Sequence, residues 1–168
     1  SVQVDTSKNG AMGLIAAALL NRAPTTLRHV PHIEEVSRLL EVLASIGVDT
    51  VWEKNELTII PPDVYDLAGL DEAAARKTRS IIMFIGPLLH HLQDFKLPHA
   101  GGCRLGSRTV RPHIYALERM GVSIDTSDGW WHVTHTGLTS ADIVMYEASD
   151  TATENALMAA AGIKGTTT

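Results

Sequence analysis

The chain has 168 residues, 45% of them hydrophobic and 20% charged, which is typical of one soluble globular domain. Its formal net charge of −5 argues against general nucleic-acid binding, and no run of about eighteen apolar residues predicts a membrane-spanning helix. The single cysteine excludes an internal disulfide, and nothing at the start resembles a signal peptide, so we expect a reducing, cytoplasmic compartment.

The helical segments differ in how many of their faces are apolar. Residues 10–21 are apolar nearly all round, which predicts a helix buried on every side. Residues 33–46 carry apolar side chains at helical spacing on one face, which predicts a surface helix. Residues 72–92 begin polar and become strongly apolar, and Pro87 should kink or interrupt a helix there. A central buried helix in each structural unit would account for the contrast.

The chain also repeats itself weakly. The segment from Pro31 and the later segment from Leu105 both read loop, amphipathic helix, Gly-Val, strand, polar turn, strand. The end of an alanine-rich helix runs into a threonine-rich strand both at 18–26 and at 159–167. Chance similarity among short amphipathic helices is the alternative. A duplicated unit of helix, strand, helix, strand, strand is the favoured reading.

This repetition predicts one domain over 1–168, in which two units are complete and a third has begun. The approximate bounds of the units are 1–62, 63–136 and an incomplete 137–168. An unfinished unit exposes a sheet edge, so we also expect self-association.

Ser7-Lys8-Asn9 stands at the mouth of the first buried helix. An ammonium and an amide beside the free N–H groups of a helix start favour anion binding. The simpler alternative is that Asn9 only caps the helix and that Lys8 is solvated.

The glycine-rich loop 101–108 contains Cys103 between arginines, which should stabilise its thiolate. Arg108, Arg111 and His113 then enter the next helix and could bind phosphates. Arg79 precedes another apolar helix and could point into a cleft. A mobile loop and solvated helix starts are the alternatives. The histidines show no metal-ligand spacing, so we predict no metal site.

Four segments together resemble the UDP-N-acetylglucosamine 1-carboxyvinyltransferase family in their order and spacing. They are SKNGAMGLIAAALL, RKTRSIIMFIGPLL, GGCRLGSRTVRPHIYALERMG and VMYEASDTATENALMAAAGIKGTT. The sister family of the shikimate pathway is similar but has Ser-Lys-Ser and lacks the Gly-Gly-Cys loop. Asn9 and Cys103 therefore favour the cell-wall family.

The resemblance implies an α+β fold, an inside-out αβ barrel or prism built from repeated βαβαββ units. In that family two such domains enclose a cleft. The implied activity moves the enolpyruvyl group of phosphoenolpyruvate to the 3′-hydroxyl of UDP-N-acetylglucosamine, with release of phosphate and without a cofactor. The step opens peptidoglycan synthesis and is the target of fosfomycin.

The resemblance also assigns residues to roles. Lys8 and Arg79, with Arg108 beside them, would hold phosphoenolpyruvate. Asn9 would hold the sugar, and Cys103 would act as general acid toward the methylene carbon, form a covalent adduct and react with fosfomycin. The residues matched to the nucleotide site are Arg108, Thr109, Val110, Arg111, Pro112, His113, Asp150 and Thr151.

Several positions depart from the family pattern. Thr109 and Arg111 replace a proline and an aspartate, and Asp150 and Thr151 replace the last two residues of Ser-Val-Gly. The loss of that glycine could obstruct backbone contacts to the nucleotide.

The partner domain of the family supplies further arginines and a carboxylate base. We therefore expect this segment alone not to turn over. Two further readings stay open at this point: a non-catalytic binding fragment of the same fold, and a shikimate-pathway transferase.

Overall fold

The computed structural model describes residues 6–100 and 109–168, so the expectations for Cys103, Arg108 and the glycine loop lie outside it. The first unit contains α1 (Lys8–Ala17), a 3-10 turn (Ala18–Leu20), β1 (Thr25–Arg28), α2 (Glu34–Ser45), β2 (Asp49–Glu53) and β3 (Glu56–Ile60). The second contains 3-10 turns at Leu67–Gly69 and Arg79–Phe84, with α3 (Glu72–Ala75), α4 (Ile85–Leu88), β4 (Asp94–Pro98), α5 (Arg111–Arg119), β5 (Ser123–Asp125) and β6 (Trp130–Thr134). The last helix described is α6 (Asp150–Ala160).

The strands form two antiparallel sheets of the same topology. Their orders are β1-β3-β2 and β4-β6-β5, so the last strand of each unit lies in the middle. In the first sheet Leu27 and Trp52 both pair with Leu57, and in the second Phe95 and Ile124 both pair with Val133. The predicted α+β class is confirmed, whereas the unit boundaries stay a prediction.

The repeated Gly-Val pair ends the outer helix of each unit. Gly47 and Gly121 adopt φ values of 90° and 88°, a left-handed conformation that glycine enters without strain. The next N–H, of Val48 or Val122, donates back to the carbonyl of Leu43 or Leu117, at 3.0 and 3.3 Å. This is the Schellman ending of a helix, and it turns the chain into the following strand in both units.

The helix expected over 72–92 is interrupted, but not at Pro87 as expected. Thr78 is extended, with φ −119° and ψ 121°, and it separates α3 from the 3-10 turn that leads into α4. Pro87 does not make the break, because it lies in the first turn of α4, where a missing N–H costs no helical hydrogen bond.

The first helix is also less enclosed than expected. Met12, Ile15 and Ala16 are buried, but Leu14 is 57% exposed and the α-helix ends at Ala17. The one-sided helix expected over 33–46 is confirmed by α2, which buries Val36, Leu39, Val42 and Leu43.

The core lies around three central helical segments, namely α1, residues 79–88 and α6. Phe84, Ile85 and Ala159 are fully buried there, and Trp131 from the second sheet is 2% exposed. One continuous cluster of buried residues joins both sheets to these helices. None of the helices in the described ranges is long and apolar enough to cross a membrane.

Histidines cap the C-terminal ends of the three central segments. The Nε2 atom of His91 lies 2.8 Å from the Leu19 carbonyl, and that of His90 lies 3.0 Å from the Met158 carbonyl. The Nε2 atom of His135 lies 3.1 Å from the Leu92 carbonyl. The Leu19 and Met158 carbonyls lie in the last turn of their helices, where carbonyls lack a helical partner. The Leu19 carbonyl also accepts a hydrogen bond from the Tyr65 hydroxyl at 3.1 Å.

Two backbone hydrogen bonds join the chain on either side of α6. The Ile143 N–H donates to the Thr168 carbonyl at 2.7 Å, and the Thr168 N–H donates to the Ala141 carbonyl at 3.2 Å. This alternation is that of parallel strands, with α6 as the crossover between them.

Candidate functional site

The mouth of α1 presents Lys8 as the first helical residue. Ser7 is the N-cap, and its Oγ accepts a hydrogen bond from the Gly10 N–H at 3.1 Å. The alternative in which Asn9 caps the helix is therefore wrong. Asn9 lies one residue inside the helix and is exposed. A cavity of about 190 Å³ adjoins this mouth, lined mostly by apolar atoms of α1 and of residues 27–30.

Glu35 holds the Lys8 ammonium. The Lys8 Nζ lies 2.7 Å from the Glu35 Oε2, so Lys8 is not simply solvated. The other oxygen of Glu35 accepts a hydrogen bond from the Ser80 hydroxyl at 3.3 Å. Because Ser80 follows Arg79 in the chain, Glu35 joins the segments that carry the two predicted cations. Sequence reasoning missed Glu35, since an acid in the first turn of a helix usually serves the helix dipole alone.

Arg76 and Arg79 have different surroundings. Arg76 pairs with Glu72 at 2.7 Å, donates to the carbonyls of His99 and Gly129, and lies over the Trp130 ring. Those contacts give Arg76 a structural role. Arg79 is exposed at the start of the following turn, and its charge acts on His113.

The residues matched to the nucleotide site at the start of α5 face in two directions. Thr109 and Arg111 are exposed, and the Thr109 hydroxyl accepts a hydrogen bond from the Arg111 N–H at 3.0 Å. Val110 is half-buried and precedes the helix as its N-cap residue. Pro112 and His113 are buried, so only their backbone is left for the predicted ligand contact.

His113 belongs to a buried polar chain that links α5 to α6. Its Nδ1 lies 3.2 Å from the Asn155 Nδ2, and its Nε2 lies 3.3 Å from the Thr151 Oγ1. Asn155 is fully buried and also bonds the backbone of Ile82 and Gly86. Burial, with a smaller contribution from the Arg79 charge, lowers the pKa of His113 to about 4. The ring is therefore neutral near pH 7.

The first turn of α6 carries Asp150 and Thr151. Ser149 caps the helix through a hydrogen bond from the Ala152 N–H at 3.3 Å. Asp150 is exposed and Thr151 is half-buried. Burial and the nearby Asp150 charge raise the pKa of the Glu154 carboxyl in the next turn. The first two turns of this helix thus carry two neighbouring acidic side chains, Asp150 and Glu154.

The structure links four of the predicted site residues, or their segments, through two connections. Lys8 reaches the Arg79 segment through Glu35 and Ser80, and His113 reaches Thr151 by direct contact. Within the ranges 6–100 and 109–168, no group of His, Cys, Asp or Glu side chains could hold a metal ion.

Comparison with known proteins gives one consistent family. A family model described as EPSP synthase (3-phosphoshikimate 1-carboxyvinyltransferase) matches residues 1–168. A UDP-N-acetylglucosamine 1-carboxyvinyltransferase of Hydrogenovibrio crunogenus is 33% identical over 168 residues, 100% of this chain and 40% of that protein. The protein of the same name from Treponema denticola is 36% identical over 99% of this chain and 39% of its own length. The chain spans about two fifths of these relatives.

Solved structures agree with the fold. The enolpyruvyl transferase NikO from Streptomyces tendae superposes with a TM-score of 0.81 at 20% identity, over 99% of this chain and 39% of that one. An EPSP synthase from Acinetobacter baumannii gives a TM-score of 0.72 at 20% identity, over 98% of this chain and 38% of that one. At these identities the likeness establishes architecture alone.

Proposed function

Because the chain belongs to the EPSP synthase (3-phosphoshikimate 1-carboxyvinyltransferase) family, we propose that it forms one lobe of an enolpyruvyl transferase acting on UDP-N-acetylglucosamine. The observation that carries the proposal is the contact of Lys8 with Glu35 and of Glu35 with Ser80. It joins the segments of two cations at an exposed helix mouth, where a small dianion can be bound. The choice of acceptor follows the names of relatives that are 33% and 36% identical over nearly the whole chain.

The proposed reaction has two steps. The 3′-hydroxyl oxygen of the sugar bonds to the central carbon of phosphoenolpyruvate and gives its proton to the carboxylate base of the partner domain. A separate proton is added to the methylene carbon, which gives a tetrahedral intermediate that still carries phosphate. The methyl group then loses a proton, the double bond re-forms and the C–O bond to phosphate breaks. Electrons balance without a redox partner, so the proposal includes no cofactor and no metal.

In this proposal the cations hold the three-carbon substrate. Lys8, Arg79 and Arg108 bind its phosphate and carboxylate, and their fixed charges stabilise the charge that develops in the transition state. Asn9 positions the sugar hydroxyl. Cys103 delivers the proton to the methylene carbon and is the residue that fosfomycin alkylates.

The nucleotide is proposed to lie along the starts of α5 and α6. The backbone of residues 108–113 and of Asp150 and Thr151 would line it. A second domain, outside this chain, would close the cleft and exclude water. Peptidoglycan synthesis in the cytoplasm is the proposed setting, with neither nucleic acid nor membrane as a partner.

The test is phosphate release by the full-length protein supplied with phosphoenolpyruvate and UDP-N-acetylglucosamine. We expect turnover that is lost in Cys103→Ala, and mass spectrometry should find fosfomycin attached at Cys103 when the nucleotide sugar is present. Absence of turnover in the wild-type protein would count against the proposal.

Shikimate-3-phosphate is the second candidate acceptor, because the matching family description names a 3-phosphoshikimate transferase. Asn9 argues against it, as does Cys103. Tighter binding of shikimate-3-phosphate than of UDP-N-acetylglucosamine would reverse the choice.

The 168-residue segment by itself is expected to release no phosphate, since the proposed base lies in the partner domain. This expectation would be contradicted if the 168-residue segment released phosphate and the Cys103→Ala variant of the segment did not. If the full-length protein binds both substrates without turnover, the proposal of a non-catalytic binding protein of the same fold replaces that of an enzyme.

A further inference from the structure

The orientation of the Asn155 amide is fixed by two backbone groups. The atom that faces the Gly86 N–H at 2.8 Å must be the oxygen, because that N–H is a donor. The atom that faces the Ile82 carbonyl at 3.1 Å must be the nitrogen, because that carbonyl accepts. A flipped amide would lose both hydrogen bonds in a site with no exposure to water.

The Asn155 amide in turn fixes the tautomer of His113. The Asn155 Nδ2 also lies 3.2 Å from the His113 Nδ1. An amide nitrogen only donates, so the His113 Nδ1 accepts and carries no proton. The neutral ring then holds its proton on Nε2, which faces the Thr151 Oγ1 at 3.3 Å.

This tautomer gives the Thr151 hydroxyl a defined direction. Its oxygen accepts a hydrogen bond from the His113 ring, so its own proton is left for a different acceptor. Among residues 6–100 and 109–168, no protein group receives that proton. Thr151 is half-buried in the first turn of α6, so the proton can be donated toward solvent or toward a ligand.

We propose that Asn155 and His113 are positioning residues that present the Thr151 hydroxyl as a hydrogen-bond donor to an oxygen of the bound nucleotide sugar. This inference rests on the proposed function, which supplies the ligand. The hydroxyl provides a donor beside the Asp150 carboxylate, which can only accept. Asn155 also hydrogen-bonds the backbone of Ile82 and Gly86 and so connects this hydrogen-bond network to the helical segment that begins at Arg79.

The kinetic test uses the full-length protein and separates the two substrates. Thr151→Val removes the hydroxyl and keeps the shape, so the KM for UDP-N-acetylglucosamine should rise about tenfold, the effect of losing one hydrogen bond to a charged or strongly polar ligand oxygen. The kcat and the KM for phosphoenolpyruvate should stay unchanged. Thr151→Ser keeps the donor and should restore the wild-type KM.

A double-mutant cycle tests whether His113 acts through Thr151. His113→Phe should raise the same KM by a similar factor, and the double variant should be no worse than His113→Phe alone. Leu117→Ala, a core change in the same helix, should lower the unfolding midpoint and leave the KM unchanged. The proposal would be overturned if the KM of the double variant rose by the product of the two single-variant factors. An unchanged KM in Thr151→Val would also overturn it.

A spectroscopic readout keeps this inference separate from the proposed function. The 15N NMR shifts of His113 should show an unprotonated Nδ1 and a protonated Nε2 at pH 7, and the opposite tautomer would refute the hydrogen-bond chain. If the wild-type protein neither binds nor turns over the nucleotide sugar, the proposed function fails and so does the ligand assigned to Thr151. The NMR result still decides the direction of the chain.

Discussion

Gly86 lies against the backbone of α6. A Cβ at position 86 would lie 2.5 Å from both the carbonyl oxygen and the Oδ1 of Asn155. We expect Gly86→Ala to lower the free energy of unfolding by about 3 kcal/mol, because two packed helices would have to separate. Urea denaturation measures the loss.

Gly10 provides the matched control for this substitution. Its Cβ would lie 3.4 Å from the nearest atom, the Cβ of Ser7, which is ordinary contact. Gly10→Ala should therefore leave stability unchanged or raise it by about 0.5–1 kcal/mol through helix propensity. Equal losses in both variants would show that the contact with Asn155 is not the cause.

Glu35 contacts both Lys8 and Ser80, and we infer its function in the site from these two contacts. Glu35→Gln removes the charge that holds the Lys8 ammonium but keeps an oxygen for Ser80. Lys8 and Glu35 have side-chain exposures of 53% and 33%, so the free energy of unfolding should change by less than about 1 kcal/mol. Phosphate release by the full-length protein should slow about tenfold, since a misplaced catalytic group commonly costs that much or more.

Glu41→Gln, an exposed change on the same helix, is the control and should keep the wild-type rate. An unchanged rate in Glu35→Gln, or a stability loss large enough to explain a slower one, would remove Glu35 from the site.

At the scale of elements, the buried histidine of α5 makes stability depend on pH. The pKa of His113 is about 4 in the folded protein and near its ordinary value of 6.5 when unfolded. Between these values the unfolded chain binds a proton that the folded protein does not. Stability should therefore fall as the pH drops from about 6.5 to about 4, by about 3 kcal/mol in total.

Substitutions can show which histidine causes the expected dependence of stability on pH. Burial also lowers the pKa of His91, so His91 adds to the loss with the same sign. His113→Phe should flatten most of the slope, whereas His29→Asn, at an exposed position with positive φ, should leave it unchanged. Denaturation midpoints measured from pH 7 to pH 4 check both. A slope that persists in His113→Phe would be inconsistent with this assignment.

Elements with local signals could be predicted from the sequence, and those set by distant contacts could not. The apolar face of α2 and the Gly-Val endings depend on neighbours in the chain. The break at Thr78 occurs in the polar stretch 76–80, which contains neither the glycine nor the proline that usually marks the end of a helix. The histidine caps join residues far apart in the chain, such as Leu19 and His91. No local sequence pattern marks these histidines as partners of distant carbonyls.

The candidate site shows the same division. Lys8 and Arg79 stand in recognisable segments, so resemblance alone places them. Glu35 and Asn155 act through contacts across units, with Lys8 in one case and with Gly86 in the other. The burial of His113 likewise depends on α6 packing over it.

For the whole molecule, the backbone of residues 141–143, hydrogen-bonded to Thr168, offers an edge for association. Within the described residues no further strand pairs with it. We expect the 168-residue segment to associate at high concentration, because an unpaired strand edge accepts another chain. Analytical ultracentrifugation over a range of concentrations checks this.

Two exposed valines provide a matched pair of variants. Val144 lies beside this edge and is 83% exposed, whereas Val64 lies in the connection after β3 and is 77% exposed. Val144→Lys should yield a monomer, because a charge on an edge disfavours pairing, and Val64→Lys should not. A wild-type segment that stays monomeric throughout would contradict the expectation.

The adjacent histidines at the end of α4 have an evolutionary consequence. His90 contacts the Met158 carbonyl of α6, and His91 contacts the Leu19 carbonyl after α1. One turn of the chain therefore contacts the ends of two other helices. A single insertion there would rotate both rings away from their carbonyls together. Segments joined in this way cannot change length independently. We expect related sequences to vary in length in the connection after β3, where residues 63 and 64 are exposed, and to keep the length of this turn.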